Sequence, residues 1–262
     1  MTKPAEIVRV LQITDTHLFA KADGSLRGTV TQQTLASVLA HLREANWPAD
    51  LIAMTGDLIQ DDTRGAYENF CQHFGSLGVP VLCIPGNHDV RELMREAVSA
   101  APFSYCGTQR HGRWLIAGID SCKEHSAGGF VAAEELARLN DIVARTDAAH
   151  VLVCLHHPPV PVGTAWLDTV GLNNGDEFLA ALRLMKKVRG CLFGHVHQSY
   201  DQTIGELRII GTPSTCRQFL PGSDDFALDD RPPAYRRLCL FDDGSIEEEL
   251  LWVPVSDPVS AT

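Results

Sequence analysis

The sequence predicts an α/β fold in which two β-sheets pack face to face with helices outside. Three observations carry this. Short apolar runs alternate with stretches of helical period, and turn residues fall between them. The early apolar runs lack polar alternation, so those strands are hydrophobic on both faces and need cover on each. After residue 199 the segments stay strand-like with few helix signals, which predicts a second, more antiparallel sheet. With 262 residues, 45% of them hydrophobic, the chain is long enough to bury a large core. We expect one domain over 1–254 and a frayed tail over 255–262.

The elements follow in order. Ile7 to Ile13 reads as a strand; Leu35, Val38, Leu39 and Leu42 make the stripe of an amphipathic helix that Asn46-Trp47-Pro48 ends. Leu51 to Met54 is the next strand. Tyr67, Phe70, Cys71, Phe74 and Leu77 mark a second helix closed by Gly78, and Val79 to Ile84 a third strand. Trp114 to Ile119 reads as a strand, Leu136 to Val143 as a helix, and Val151 to Leu155 as a strand. Phe178 to Val188 reads as a helix leading into the strand Cys191-Leu192-Phe193. Ser199 to Thr203, Leu207 to Ile210, Tyr235 to Phe241 and Ile246 to Val253 complete the strands. Pro221 to Pro233, acidic and rich in proline, has no period and reads as a mobile surface loop.

Composition narrows the function. Asp and Glu number 33 against 22 Lys and Arg, a net charge of −11, which repels a phosphate backbone and argues against nucleic acid as partner. The eight cysteines are scattered without a Cys-x-x-Cys pair and read as reduced core thiols. Met1 to Glu6 has no apolar leader, and no apolar run approaches the roughly 18–20 residues that span a bilayer. A cytoplasmic protein without a membrane partner is expected.

The informative pattern is what stands at the strand ends: Asp15-Thr16-His17, Gly56-Asp57, Gly86-Asn87-His88-Asp89, His156-His157 and Gly194-His195-Val196-His197. In a parallel sheet the carboxyl ends of the strands share an edge, so five distant clusters converge. Carboxylate, imidazole and carbonyl oxygen suit divalent or trivalent first-row metals, and a carboxylate such as Asp57 can bridge two ions. The Asp-x-His and His-x-His spacings place both side chains on one side of an extended segment. The glycines before Asp57, Asn87 and His195 permit positive φ and close approach. Either His156 or His157 can serve as the ligand on this reading.

These five blocks, in this order, resemble the signature of the calcineurin-like metallophosphoesterases. The resemblance implies the four-layer fold of that superfamily. It also implies a dinuclear centre, with Asp15, His17, Asp57 and His197 on one ion and Asp57, Asn87, His156 and His195 on the other. His156 is favoured over His157. Iron with manganese or zinc is the implied metal pair. Trp166-Leu167-Asp168, Gly171-Leu172-Asn173-Asn174, Gly211 to Cys216 and Gln218-Phe219 are similar to segments of class III bacterial cyclic-AMP phosphodiesterases, where such loops border the substrate.

The implied reaction hydrolyses 3′,5′-cyclic AMP to 5′-AMP. Two cations about 3.5–4 Å apart share a hydroxide that attacks phosphorus. His88 faces the phosphate and protonates the departing oxygen, and Asp89 orients His88. His17, Asp57, Asn87, His88 and His197 line the substrate side. A homodimer is common among relatives. The runner-up substrate is a glycerophosphodiester or a broad range of phosphodiesters. A non-catalytic scaffold is the reading of another class, against which the complete ligand set argues. Trp166 is balanced between packing and base stacking. Arg217 reads as a surface salt bridge, and His41, His73, His111, His125 and His150 as solvated or capping residues.

Overall fold

The computed structural model describes residues 6–255. Apart from Val255, the tail expected over 255–262 lies outside the described residues. The chain runs β1 (Val8–Ile13), β2 (Ser25–Leu26), β3 (Thr29–Val30), α1 (Thr31–Ala45), β4 (Leu51–Met54), α2 (Arg64–Gly75), β5 (Val81–Cys83), α3 (Arg91–Ala97), β6 (Phe103–Tyr105), β7 (Thr108–His111) and β8 (Trp114–Gly118). It continues through α4 (Ala133–Arg145), β9 (His150–Cys154), α5 (Ala165–Asp168), α6 (Gly175–Leu184), β10 (Val188–Phe193), β11 (Tyr200–Ile204) and β12 (Leu207–Gly211). It closes with β13 (Gln218–Phe219), β14 (Leu228–Asp229), β15 (Ala234–Leu240) and β16 (Ile246–Trp252).

Two six-stranded sheets form, in the orders β16-β15-β1-β4-β5-β6 and β11-β12-β10-β9-β8-β7. Within the first, β1, β4, β5 and β6 are parallel, and β15 joins β1 antiparallel. Within the second, β8, β9, β10 and β12 are parallel, with β7 and β11 antiparallel at the edges. The late strands therefore do not build a sheet of their own, as the sequence led us to expect. They divide between the two sheets, each of which is mixed.

The layers follow from a period-two split of apolar residues. Val8, Val10, Leu51, Ala53 and Leu82 face Ile116, Leu152, Cys154, Leu192 and Ile210 across the space between the sheets. The alternate residues Leu11, Ile13, Ile52, Met54 and Val81 turn outward onto α1, α2 and α3 through Leu35, Leu39, Phe70 and Met94. Val151, Val153, Cys191 and Phe193 turn outward onto α4 and α6 through Leu139, Phe178 and Leu182. Each such fully buried side chain contributes about 1.5–3 kcal/mol relative to exposure. The result is helices, sheet, sheet, helices.

A buried polar thread also joins the sheets. Gln12 donates to Thr55 Oγ1 (3.1 Å) and to the Phe193 carbonyl (2.9 Å), and Thr212 Oγ1 donates to Gln12 Oε1 (2.6 Å). Arg236 donates from Nε to Thr212 (3.1 Å) and pairs with Glu248 through its other end. Four strands are thus tied by satisfied donors in a region where an unmatched group would be costly.

Three boundaries differ from the sequence reading. α2 ends at Gly75 with Ser76 as cap rather than at Gly78, and α6 stops at Leu184, so Val188 opens β10 instead of closing a helix. Apolar runs shared by a helix end and a buried strand cannot be divided by periodicity alone. Pro221 to Pro233 is not simply a loop, since β13 and β14 pair as a short hairpin at Gln218↔Asp229 and Phe219↔Leu228. The eight cysteines are free, as expected.

Candidate metal centre

β1, β4 and β5 of one sheet and β9 and β10 of the other end at the same place. All five strand-end clusters meet there, across the seam between the sheets. The loops after β1 and β4 zip together: Asp15 N–H donates to Gly56 O, His17 N–H to Asp57 O and Leu18 N–H to Leu58 O, each at 3.0 Å. The loop after β10 is stitched to the loop after β1 by His195 N–H, 3.1 Å from Asp15 Oδ2, and to the end of β9 by Gly194 N–H on His156 O (3.0 Å).

The backbone does this by an unexpected route. Asp15 (φ 54°), His17 (44°), Asp57 (52°), His195 (69°) and His197 (50°) all lie in the left-handed region. Neither Asp15-x-His17 nor His195-x-His197 is the extended segment that the spacing suggested; each pair turns its side chains inward by left-handed residues. Such non-glycine conformations cost on the order of 1 kcal/mol or more each and persist where their surroundings enforce them, which marks functional sites. Of the three preceding glycines only Gly56 takes a positive φ (103°). Gly86 is required for space, since a Cβ there would lie 2.1 Å from Asp57 Oδ1.

The donors converge as overlapping groups. Asp15, His17 and His197 form one whose atoms lie within 4.8 Å of one another, and Asp15, Asp57 and His156 another; His17, Asp57 and His88 come equally close, as do His156, His157 and His195. His197 Nε2 is 3.2 Å from His17 Nε2 and 3.3 Å from Asp15 Oδ1. His156 Nε2 is 3.2 Å from His195 Nδ1, 3.2 Å from Asn87 Oδ1 and 3.4 Å from Asp57 Oδ2. Asp57 Oδ2 is also 3.7 Å from His17 Nε2, so this carboxylate touches both groups.

The donor set fits two cations. Facing ring nitrogens 3.2 Å apart can share at most one hydrogen between them, and His17 Nδ1 and His195 Nε2 are buried with no protein partner. Two buried carboxylates among four buried imidazoles match what hard-to-borderline metals take. His156 is aimed by its other nitrogen, Nδ1, 2.8 Å from the Thr55 carbonyl, and His197 by Nδ1, 2.5 Å from the Arg217 carbonyl. His157 has both nitrogens engaged elsewhere, with Ser121 Oγ (2.9 Å) and the Ala127 carbonyl (3.2 Å), so His156 is the ring of the pair that faces the centre.

Electrostatics follow from this crowding. Burial pushes the His17 imidazole down to about 4 and that of His195 down to about 3. Burial also opposes charge on His156, but Asp57 and Asp15 outweigh it and raise that ring to about 9. Asp57 is held well below the usual carboxylate range by His156, in spite of its burial. Burial and the neighbouring Asp57 push Asp89 up to about 7.

Asp89, expected to orient His88, forms no hydrogen bond with it among the described residues. Its oxygens accept the N–H of Gly86 (2.9 Å), the N–H of Leu58 (3.2 Å) and the hydroxyl of Tyr67 (3.0 Å), which clamps the loop after β5 onto the loop after β4 and onto α2. Tyr67 had read only as a helix-stripe residue. Asp89→Ala strands these donors, and we expect a loss of about 3 kcal/mol in unfolding free energy, measured by chemical denaturation. A loss under 0.5 kcal/mol, roughly that of a neutral surface change, would remove the clamp role.

Above the centre lies a cavity of about 280 Å³ whose lining includes His17, Asp57, Asn87, His88, His195 and His197 at the base. Its wall is aromatic. Phe219 stacks on His197 (4.3 Å, 15°), Trp166 meets Phe219 and Phe226 edge-on (5.1 and 5.3 Å), and the Arg27 guanidinium lies 4.8 Å over Phe226. Phe226 sits on the segment that had read as a mobile loop, and the hairpin carries it inward. Asn174 is not part of this wall, because its amide pairs with both backbone groups of Val131 (3.0 and 2.9 Å). Arg217 pairs with Asp230 (3.2 Å), as expected. His150 is buried beside Trp114, bonded to the Asp242 carbonyl (3.0 Å), rather than solvated.

Comparison with known proteins agrees with this architecture. The calcineurin-like phosphoesterase family profile matches residues 8–199. The 3′,5′-cyclic adenosine monophosphate phosphodiesterase CpdA of Pseudomonas aeruginosa is 35% identical over 92% of this chain and 88% of its own length. The protein of that name from Escherichia coli K12 is 37% identical over 93% and 89%. A 3′,5′-cyclic-nucleotide phosphodiesterase of Nostoc is 32% identical over 97% and 96%. Among solved structures, a dimetal phosphatase from Danio rerio superposes with a TM-score of 0.64 at 15% identity, covering 94% of this chain and 99% of that one. Among the described residues no helix is long and apolar enough to cross a membrane.

Proposed function

The chain belongs to the calcineurin-like phosphoesterase family, and from that premise we propose that it hydrolyses 3′,5′-cyclic AMP to 5′-AMP and so lowers a second messenger in the cytoplasm. The observation that carries the substrate is the aromatic wall over a metal-type floor. A phosphodiester placed on the donors at the base has its organic half against Trp166, Phe219 and Phe226, flat apolar surfaces suited to a purine. A volume near the low end for small-molecule sites fits one nucleotide, and the charge of −11 disfavours a polyanion. The names of the relatives point the same way.

Asp15, His17, Asp57 and His197 hold one ion in this reading, and Asp57, Asn87, His156 and His195 the other, with iron and manganese or zinc as the metals. When bound, such ions polarise the phosphoryl group and draw a nucleophile from water at neutral pH. The chain's own part is positional. Asp57 keeps both halves of the donor set at a common distance, Asn87 and His88 stand where the phosphoryl oxygens meet the loop after β5, and the aromatic wall excludes water from the organic half.

The test is steady-state kcat/KM on cyclic AMP beside bis(p-nitrophenyl) phosphate and glycerophosphocholine, with bound metal quantified. A clear preference for cyclic AMP supports the assignment, and turnover of the activated ester with little on cyclic AMP moves the substrate to another phosphodiester. Trp166→Ala is expected to lower kcat/KM on cyclic AMP about 10-fold or more while changing bis(p-nitrophenyl) phosphate hydrolysis less than about 3-fold, since a lost stacking surface is worth about 1–3 kcal/mol per base. Equal losses on both esters would count against the wall as a base-recognition surface.

A further inference from the structure

We propose that Arg27 sets the substrate class of the site by charge: it excludes phosphodiesters with a cationic head group, such as glycerophosphocholine, and admits those whose organic half is neutral, such as a cyclic nucleotide. The proposal rests on the reading of this site as a phosphodiesterase. The aromatic wall alone leaves this choice open. Faces such as those of Trp166, Phe219 and Phe226 attract a quaternary ammonium as well as a purine, because the negative face of a ring draws a cation to within about 6 Å. The phosphoryl end is common to both kinds of ester, so the donors at the base do not separate them either.

Arg27 separates them from the rim. β2 and β3 pair Leu26 with Thr29 and Ser25 with Val30, which leaves Arg27 and Gly28 as a two-residue turn with φ of 52° and 81°. Arg27 is thus exposed at the tip of a hairpin, and it lines the cavity together with Leu26. Its guanidinium lies 4.8 Å from the centre of the Phe226 ring, the place on that face that a trimethylammonium group would take. The base of the hairpin is tightly seated: a Cβ on Gly24 would lie 2.4 Å from Phe19, and the Thr31 N–H donates to the Gly24 carbonyl (3.3 Å).

The charge on Arg27 is not cancelled locally. Arg217, the other arginine of the lining, pairs with Asp230 at 3.2 Å, whereas Arg27 has no carboxylate within ion-pair distance among the described residues. A second cation brought to Phe226 meets like charge and competes for an occupied face. A neutral purine meets the free N–H donors of the guanidinium, which suit its ring nitrogens.

A charge series at position 27 tests this, read as kcat/KM on glycerophosphocholine divided by kcat/KM on glycerophosphoglycerol, whose head group is neutral. Where turnover is too slow to follow, the ratio is taken from inhibition of bis(p-nitrophenyl) phosphate hydrolysis by each ester. Lys, Gln and Glu are all unbranched at Cβ, so the left-handed φ costs each about the same. Arg27→Gln should raise the ratio about 10-fold, Arg27→Glu should raise it further, and Arg27→Lys should leave it within about 2-fold of wild type. The change should lie in KM rather than kcat, since the head group is remote from the reacting phosphorus.

Salt gives a second readout. Between about 0.01 and 1 M the Debye length falls from about 30 to 3 Å, so the wild-type ratio should rise several-fold over that range and the Arg27→Gln ratio should stay nearly flat. Three results overturn the proposal: an unchanged ratio in Arg27→Gln, a rise in Arg27→Lys equal to that in Arg27→Gln, or the same salt response in both proteins. The ratio uses no cyclic AMP, so loss of the cyclic AMP assignment and loss of the Arg27 role are separate outcomes.

Discussion

Asp57→Ala is expected to lower kcat/KM on any phosphodiester by on the order of 10³-fold or more, and to leave the purified protein with fewer than two metal ions. The reason is that one carboxylate serves three neighbours. Oδ2 reaches His156 (3.4 Å) and His17 (3.7 Å), one in each half of the donor set, and Oδ1 accepts the His88 backbone N–H at 2.8 Å. Loss of the carboxylate removes the shared point between the halves and frees the loop that carries Asn87 and His88. Asp57→Asn separates charge from conformation, because asparagine tolerates the left-handed φ of 52° almost as well. It should keep the loop but still lose metal. Activity within 10-fold of wild type at full metal occupancy, in either variant, would show that the shared carboxylate is not the organising group.

Chelation gives the second large effect. Ligand binding to the folded state alone adds about 4 kcal/mol when free metal is a thousandfold above its Kd, which for a chain of this size raises Tm by about 10 °C. Removal of metal should therefore cost about that much, as read by differential scanning calorimetry with and without chelator. An unchanged Tm would mean that no tightly held ion contributes to the fold.

The chelated protein should also show a distinct pH profile. His17 and His195 have folded pKa values, about 4 and 3, below the ordinary 6.5, so the unfolded chain binds more protons in acid and stability falls as pH drops below 6.5. His156, raised to about 9, works the other way, with its contribution complete below 6.5 and lost as pH rises through 9. Stability of the chelated form is thus expected to peak near pH 6.5 and to fall on either side. Metal-loaded protein should be steeper over the acid side, since bound ions hold the liganding imidazoles, His156 included, neutral in the folded state while the unfolded chain takes up protons below 6.5. Thermal melts across that range distinguish the two.

The candidate ligands were legible in the chain because each metal-type cluster directly follows a strong apolar strand, and strand ends in a parallel arrangement share an edge. Asp15, His17, Asp57, Asn87, His156, His195 and His197 came together as that rule implies, although from two sheets rather than one. How they reach inward was not legible. The Asp-x-His spacing has an extended reading with both side chains on one face, whereas the structure uses left-handed residues at both positions, a conformation that no local propensity for Asp or His demands. Gly86 looked like a turn residue and is a space requirement set by a carboxylate nearly thirty positions earlier.

The aromatic wall and the partners of His88 were hidden for a related reason. Phe226 stands in an acidic, proline-rich stretch with no period, and only the pairing of Phe219 with Leu228 brings it over the site. Gln60 follows an apolar run like any polar residue at a strand end, and Asp89 follows His88 as a natural partner would. Contacts over 28 and 31 residues decide that Gln60 meets the ring while Asp89 clamps the loop.

What the sequence by itself determined is the layered α/β architecture and the set of candidate metal donors, because two-sided apolar strands require cover and their ends require a common edge. What only the tertiary structure decided is the division of the late strands between two sheets, the inward turn of the donors and the assignment of partners to His88, His156 and His157. Those depend on which backbone carbonyls and amides remain unpaired once the sheets have packed, a quantity that is set by the whole assembly and has no local signature.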